Sequence, residues 1–397
     1  MVELPIAMIE TSHKETIVRQ RYAAGAKESA GKLCCPVNYS SEYLKVIPQE
    51  VIERDYGCGD PSRYLHGGET VLDLGSGTGK ICFIAAQIVG PKAKVIGVDM
   101  TDEMLEVARR NAPLVAERIG YSNVEFLKGH IQDLALDLEL LDRELKKMPI
   151  TDSASFLAAD ELAEELRVKH PLIATDSIDV VVSNCVINLV EPKSKRQLFD
   201  EIFRVLKTGG RAVISDIVSD EGVPEEMQND PELWSGCISG AFTEESFIAA
   251  FENAGFYGIQ ILNRAAEPWR TVQGIEFRSV TVEAFKGKQG ECFERNQAVI
   301  YRGPFKEVLD DDNHRMERGR RYAVCDHIYN LYKKAPYRDF FEFVDPIVDV
   351  PLADAKPFDC SRELRHPKET KGRDYDATTE ANSKCCDGGA CGFFRLE

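Results

Sequence analysis

Between residues 69 and 263, short apolar runs alternate with longer stretches whose apolar residues recur every three or four positions. An unbroken apolar run suits a strand buried on both faces, and a period near 3.6 suits a helix with one face on the core. The pattern predicts strands over residues 70–74, 94–98, 124–128, 178–183, 211–215 and 258–262. Helices are predicted over 80–89, 102–117, 193–206 and 243–254, and Lys207-Thr208-Gly209-Gly210 supplies glycines that stop a helix and turn the chain into the next strand. Such alternation predicts an α/β fold, a doubly wound parallel sheet covered on both faces.

Four segments depart from that rhythm. Residues 1–68 are irregular, with a Cys34-Cys35-Pro36 break and a short helix expected near 42–46. Residues 134–175, rich in Leu, Glu and Asp, carry helical spacing at Leu138, Leu141 and Leu145 and again at Leu162 and Leu166. They predict a helical insertion within the 69–265 domain, read as a solvated hairpin rather than a substrate lid. Residues 266–361 shift toward short β-like runs such as 297–301 and are expected to form a small α+β C-terminal domain. From 362 to 397 the chain is charged, poor in apolar residues and ends in a cysteine-containing stretch with Cys385, Cys386 and Cys391, so a mobile tail is expected.

With 397 residues the chain can bury a full α/β core and an appended module. Its 66 acidic against 49 basic residues give a net charge of −17, a field that repels phosphate backbones and anionic lipid, so neither nucleic acid nor membrane is an expected partner. No secretory signal is visible at the N-terminus and no apolar run is long enough to span a bilayer, which makes a cytoplasmic location the expectation. Twelve cysteines in such a chain do not read as a disulfide framework, because cytosolic thiols are kept reduced. They are there for chemistry or as small core residues.

The strand Val71-Leu72-Asp73-Leu74 runs into Gly75-Ser76-Gly77-Thr78-Gly79, and the next strand ends in Val98-Asp99-Met100-Thr101. At the carboxyl edge of a doubly wound sheet, a glycine turn admits a ligand close to the backbone, and an acid at the end of the second strand can accept both ribose hydroxyls. A nucleoside-triphosphate loop is excluded because Leu74 stands where its first glycine belongs and Ile81 follows Lys80. The dinucleotide fingerprint needs its third glycine three residues after the second, whereas Gly75, Gly77 and Gly79 are spaced by two, which leaves a dehydrogenase as the structural rival. This spacing after an Asp-Leu pair resembles the Rossmann-like class I S-adenosylmethionine methyltransferases. On that reading Asp73 receives the ligand's ammonium group, His130 and Ile131 after the third strand flank the adenine, and Ser183-Asn184 at the end of the fourth lies beside the methionine portion. A surface-loop role for His130 is the competing reading.

Cys58 just precedes the first core strand, Cys185 ends the fourth and Cys237 follows the fifth, so all three can converge above the methyl donor. Three sulfurs on one sheet edge suit a soft ion. Zinc fits less well without closely spaced Cys-x-x-Cys or His pairs nearby, and inert core thiols are the remaining alternative. Cys82, Cys292, Cys325 and Cys360 are read as such inert residues.

Tyr56-Gly57-Cys58-Gly59, the Val71 to Gly79 segment, Gly97-Val98-Asp99-Met100-Thr101, Ser183 to Leu189, Arg204-Val205-Leu206-Lys207 and Leu233-Trp234 leading to Cys237 resemble the arsenite methyltransferase family over about residues 20 to 300. The resemblance extends through Val299-Ile300-Tyr301-Arg302-Gly303 and the cysteine-rich terminus. It implies As(III) bound by Cys58, Cys185 and Cys237, with a further N-terminal cysteine matching Cys34 or Cys35. It also implies S-adenosylmethionine as methyl donor, arsenite or its glutathione adduct as substrate, and thioredoxin or glutathione as reductant. Two departures from the family are the long 134–175 insertion and the doubled N-terminal cysteine. The rival readings are a methyltransferase for another soft centre, such as selenium, tellurium or a small thiol, and a metalloid-binding protein without turnover.

Overall fold

The protein was analysed as a computed structural model that describes residues 6–26, 37–54, 56–371 and the single positions 376 and 378. The chain divides into two compact units after Lys288.

In the first unit the strands are β1 (Val71–Leu74), β2 (Val95–Asp99), β3 (Val124–Lys128), β4 (Ile178–Asn184), β5 (Leu206–Ser219), β6 (Phe242–Thr243), β7 (Tyr257–Arg264), β8 (Arg270–Val272) and β9 (Ile275–Phe285). Among the described residues they form one sheet in the order β3-β2-β1-β4-β5-β9-β7, with β6 beside β5 and β8 beside β9. The first five pair in parallel, while β9 runs antiparallel between β5 and β7. The sheet is therefore mixed, and its parallel half carries the site.

The helices of this unit are α1 (Ile6–Gly25), α2 (Ser41–Leu44), α3 (Gln49–Glu53), α4 (Lys80–Val89), α5 (Asp102–Ile119), α6 (Leu138–Leu145), α7 (Ser153–Lys169), α8 (Pro192–Val205), α9 (Glu225–Gln228), α10 (Pro231–Ser235) and α11 (Glu244–Asn253). Side chains alternate across each strand, so β1 sends Val71 to one face and Leu72 and Leu74 to the other. Val71 packs with the Ile84 face of α4 and with Leu105 and Val107 of α5. Leu72 and Leu74 pack with Leu198, Phe199 and Ile202 of α8 and with Phe247 and Phe251 of α11. Phe199 meets Phe251 edge-to-face at 4.9 Å, which fixes the crossing of α8 and α11.

Local signals account for the helix ends. Pro192 opens α8, where its missing N–H costs nothing. The Thr243 hydroxyl caps α11 by accepting from Ser246 N at 3.1 Å, and Gly120 ends α5 at φ +86°. In the insertion, Asp137 caps α6 and an Asp152–Ser155 capping box starts α7. Leu166 is the one buried residue of α7 and α6 has none, so the hairpin lies on the surface as expected.

Four features differ from the sequence reading. The N-terminal stretch expected to be irregular contains α1, whose Arg21 donates to Glu232 O at 3.0 Å and to Ser235 Oγ at 2.6 Å on α10. Lys207 to Gly210 lies inside β5 as an irregularity: Ile178 pairs with Leu206, and pairing resumes at Val180 and Arg211. The strand β9, expected in a separate module beginning at 266, belongs to the first unit's sheet, and the compact units divide at 288 rather than 265. Part of the segment expected to be a mobile tail is packed: Arg365 is buried, donating to Glu294 Oε1 at 2.7 Å and to Gln297 O at 3.1 Å. Cys385, Cys386 and Cys391 lie outside the described residues.

The second unit is built on a three-stranded antiparallel sheet of Arg321–Ala323, Ala298–Tyr301 and Phe341–Val344. A helix, Asp326–Tyr332, buries Ile328, Tyr329, Leu331 and Tyr332.

Candidate functional site

The carboxyl ends of β1, β2 and β4 open into a cavity lined by Asp73, Gly75, Ser76, Gly77, Thr78, Asp99, Met100, Thr101, Gly129, Ile131, Asn184 and Cys185. Gly75, Gly77 and Gly79 all have φ between +53° and +91°, a region closed to most side chains, so the turn needs glycine for conformation. At Gly77 a Cβ would meet open space, which leaves the backbone accessible to a ligand. The Asp99 carboxylate is held by two backbone donors, Gly77 N at 2.9 Å and Thr101 N at 2.8 Å. Burial pushes its carboxyl above the ordinary range, against the pull of those two N–H groups. The Ser76 hydroxyl, buried at the cavity wall, has no hydrogen-bond partner among the described residues. An orphaned donor beside an anchored carboxylate and a bare glycine is a cradle fitted to a polar nucleoside.

Behind Asp73 stands Cys82, whose thiol donates to Asp73 Oδ2 at 3.2 Å. Burial raises the Cys82 thiol and the Asp73 charge raises it further, so it stays protonated as a donor.

Three thiols gather next to this cradle. Cys58, Cys185 and Cys237 are all buried. Cys185 lines the cavity, its sulfur lies within 4.8 Å of the Cys58 sulfur, and both Cys58 and Cys237 are near enough to perturb its thiol. The Cys237 thiol also donates to the Cys185 carbonyl at 3.2 Å. Cys185 and Cys237 both adopt φ +62°, a left-handed conformation that costs a non-glycine residue about 1 kcal/mol or more. Strain at two of three converging thiols marks a place where side-chain direction matters more than backbone comfort.

Asn184 clamps the third thiol's loop. Its Oδ1 accepts from Cys58 N at 2.9 Å and from Gly59 N at 3.1 Å, while Nδ2 donates to Gly59 O at 2.8 Å and to Tyr39 OH at 3.0 Å. Gly57 lets the loop approach: a Cβ there would fall 2.3 Å from Asn184 Nδ2. Ser279 Oγ, on β9, donates to Cys58 O at 2.6 Å, so the strand that the sequence reading left out of the sheet helps hold the site.

The electrostatics favour thiols over thiolates in the resting site. For Cys185 the hydrogen bond from Cys237 lowers the thiol, but the contact with Cys58 and burial lift it well above its ordinary value. The contact with Cys185, then burial, lifts Cys237 in the same direction.

Several neighbours carried no motif in the sequence. Asp216, inside β5, offers a carboxylate oxygen that with the sulfurs of Cys58 and Cys185 forms a group mutually within 4.8 Å. Its oxygens accept from Ile217 N at 2.7 Å and Ile187 N at 2.9 Å, yet burial pushes it up to about 6. Nearby Lys195 is brought down by burial to about 8. Tyr22 of α1 approaches the Cys237 sulfur at 3.8 Å, and burial holds its hydroxyl well above the usual phenol range. An aspartate in the apolar run Ile214 to Val218 was the available signal for Asp216, since a lone carboxylate in a buried strand needs a reason.

Some expected residues stand apart from the cavity. His130 lines a neighbouring depression with Glu15, Thr16 and Arg19 instead of the main cavity. Ser183 donates to Leu74 O at 3.1 Å and ties β4 to β1, and Gly79 lies under Phe126. Cys34 and Cys35 fall outside the described residues.

Comparison with known proteins gives a consistent picture. A family model described as "Methyltransferase domain" matches residues 65–255, and one described as "Domain of unknown function (DUF8838)" matches residues 288–375. The chain is 33% identical to an arsenite methyltransferase of Aquipseudomonas alcaligenes over 78% of its own length and 84% of that protein's. It is 31% identical to the Homo sapiens arsenite methyltransferase over 76% of this chain and 73% of that one. Among solved structures, an arsenic(III) S-adenosylmethionine methyltransferase from Chlamydomonas reinhardtii superposes with a TM-score of 0.52 at 28% identity, covering 82% of this chain and all of that one.

Proposed function

Because this chain belongs to the arsenite methyltransferase family and methylates trivalent arsenic with S-adenosylmethionine, we propose that Cys58, Cys185 and Cys237 are the thiols that hold the arsenic while it is methylated. The observation that supports the assignment is that the Cys58 and Cys185 sulfurs lie within 4.8 Å of each other beside the glycine cradle, with the Cys237 thiol 3.2 Å from the Cys185 carbonyl.

The donor is held by Gly75 to Thr78, with Ser76 Oγ available as a hydrogen-bonding group, Asp99 on the ribose and Asp73 toward the ammonium. Met100, Thr101 and Ile131 close the nucleoside end and Asn184 the methionine end. S-adenosylmethionine supplies a sulfonium methyl, an electrophile that needs only a lone pair opposite it, so no general base is required of the protein. The chain's task is alignment.

Arsenous acid loses each hydroxyl as water by taking the proton of one thiol, and one As–S bond forms in its place. The raised thiols of Cys185 and Cys237 therefore bring the protons that the leaving hydroxyls need. Sulfur ligands exclude oxygen from the arsenic and keep its lone pair available. Methylation removes two electrons from arsenic formally, and a pair of thiols closing to a disulfide returns them. Cys34 or Cys35 with Cys58 is the proposed pair, and glutathione or thioredoxin reopens it. This chemistry needs a reducing compartment and suits a cytoplasmic role in arsenic detoxification. Among the described residues no helix is long and apolar enough to cross a membrane.

The test is methyl transfer from labelled donor to arsenite. Cys185→Ser and Cys237→Ser should each abolish it while retaining S-adenosylmethionine binding. Full activity in both would remove the thiol site. Competition by selenite, tellurite and small thiols separates the alternative soft substrates.

A further inference from the structure

A second group of cysteines lies wholly inside the C-terminal unit. The antiparallel pair Phe293–Glu294 and Lys356–Pro357 sets Phe293 opposite Pro357, and its next rung is a bond from Phe358 N to Cys292 O at 2.9 Å. Cys360 follows two residues later, with its sulfur 3.9 Å from the Phe358 carbonyl oxygen. Cys325 caps the Asp326–Tyr332 helix, its sulfur accepting from Ile328 N at 3.4 Å. Arg295 ties that helix to the ribbon by donating to Asp326 Oδ1 at 2.8 Å. Three chain segments thus bring three thiols into one neighbourhood, where Cys292 is near enough to Cys325 and to Cys360 for each to perturb its thiol. Their exposure is graded, from exposed Cys360 through half-buried Cys292 to buried Cys325, and all are free. The inert-residue reading does not account for a shared central sulfur with one neighbour open to solvent.

We infer that Cys292, paired with Cys325 or Cys360, is a second binding site for trivalent arsenic, separate from the methyl-transfer thiols. It rests on the chain being an arsenite enzyme, but not on which residues carry the methylation. Binding loses two hydroxyls of arsenous acid as water, each with the proton of one thiol, and forms two As–S bonds with no change of oxidation state. The third thiol is positioned to exchange with either bond, moving the ion between the exposed and buried pairs. Zinc is the competing thiophilic ion, and the His327 ring lies close, since a Cβ on Gly290 would fall 2.7 Å from its Nδ1. A structural zinc site, however, needs four donors closed around one point. Among the described residues, the group whose ligand atoms all approach within 4.8 Å is that of Cys58, Cys185 and Asp216, so the C-terminal thiols are not closed around one point as a zinc cage would need. Burial, followed by the contact with Cys325, raises the Cys292 thiol, which keeps it protonated and slow to oxidise until a ligand displaces the proton.

The experiment uses the full chain with Cys58, Cys185 and Cys237 replaced by serine, so its outcome is independent of the methyl-transfer site. The probe is phenylarsenite, which binds two thiols. After exposure, maleimide labelling and peptide mass spectrometry should show Cys292 protected by about tenfold or more, and native mass spectrometry should show one bound equivalent fewer in Cys292→Ser than in the same chain with Cys292 intact. The double variant Cys325→Ser/Cys360→Ser should lose the same equivalent, and it decides the question if Cys292→Ser does not fold. Equal labelling with and without phenylarsenite, or one equivalent of bound zinc that both variants lose, would overturn the assignment.

Discussion

Gly57→Ala strikes the acceptor side of the reaction harder than the donor side. The added methyl would sit 2.3 Å from Asn184 Nδ2 and 2.9 Å from its Cγ, about an ångström short of the 3.4 Å at which ordinary contact begins. Neither partner can yield freely. The Asn184 amide makes five hydrogen bonds to the Cys58 loop and Tyr39, one of them from the Cys58 thiol, and the Cys58 carbonyl is tied to Ser279. The loop must therefore move by a distance of that order, and the Cys58 sulfur with it. A displacement of about 1 Å in a reacting group costs on the order of 100-fold in rate, equivalent to about 2.7 kcal/mol. The expected result is a kcat for arsenite methylation lower by about two orders of magnitude, with S-adenosylmethionine affinity falling much less, because Asp99 and the glycine turn are untouched and only Asn184 at the methionine end is pressed. Gly67→Ala is the control, since the nearest atom to its Cβ is 3.9 Å away. Wild-type kcat in Gly57→Ala, with the clash accommodated, would refute the claim that the Asn184 clamp sets the position of Cys58.

Other outcomes follow from the same geometry. Asp99→Ala should weaken S-adenosylmethionine by about 10- to 100-fold in equilibrium binding, the loss expected for hydrogen bonds to a charged group, and leave phenylarsenite binding intact. Cys237→Ser should bind phenylarsenite still, through Cys58 and Cys185, but fail to methylate arsenite, as read by titration beside product analysis. Glu50 accepts from Arg110 and from Asn111, and these contacts hold its carboxyl at about 2, below its ordinary 4.5. A depressed acid stabilises the fold above pH 4.5 and loses that contribution as pH falls toward 2. Glu50 is partly exposed, so solvent screening limits the effect to about 1 kcal/mol. Acid melts of wild type should therefore decline more steeply over that window than those of Glu50→Gln, and parallel curves would count against it.

How much could be read from the chain depended on whether a signal was local. Val71 to Leu74 and Lys80 to Val89 were legible because each is an apolar run bounded by glycines, and the structure places both within a residue of expectation. The glycine turn and Asp99 were legible for the same reason, and they line the cavity. The strand β9 was not, because its Glu276, Arg278 and Glu283 blur the apolar pattern and its place between β5 and β7 is decided by pairing across some sixty residues of chain. The helix α1 lacks a clean apolar stripe, and its course is visible only through its contacts with α10. At the site, the three thiols could be named from their positions at strand ends, but Tyr22, Asp216 and Lys195 meet them only once the fold is closed.

The alignment of Leu74 with Ser183 on neighbouring parallel strands has a mechanical consequence. The turn proposed to carry the donor begins one residue beyond Leu74, and Cys185, proposed to hold the arsenic, stands two residues beyond Ser183, so on that proposal donor and acceptor are mounted on adjacent rails of one ladder. Breathing of the sheet carries both together and leaves the gap between them nearly constant. Mutations that soften the scaffold elsewhere should then lower the melting temperature long before they slow turnover, and substrate range can be retuned in the loops around Cys58 and Cys237 without rebuilding the rails.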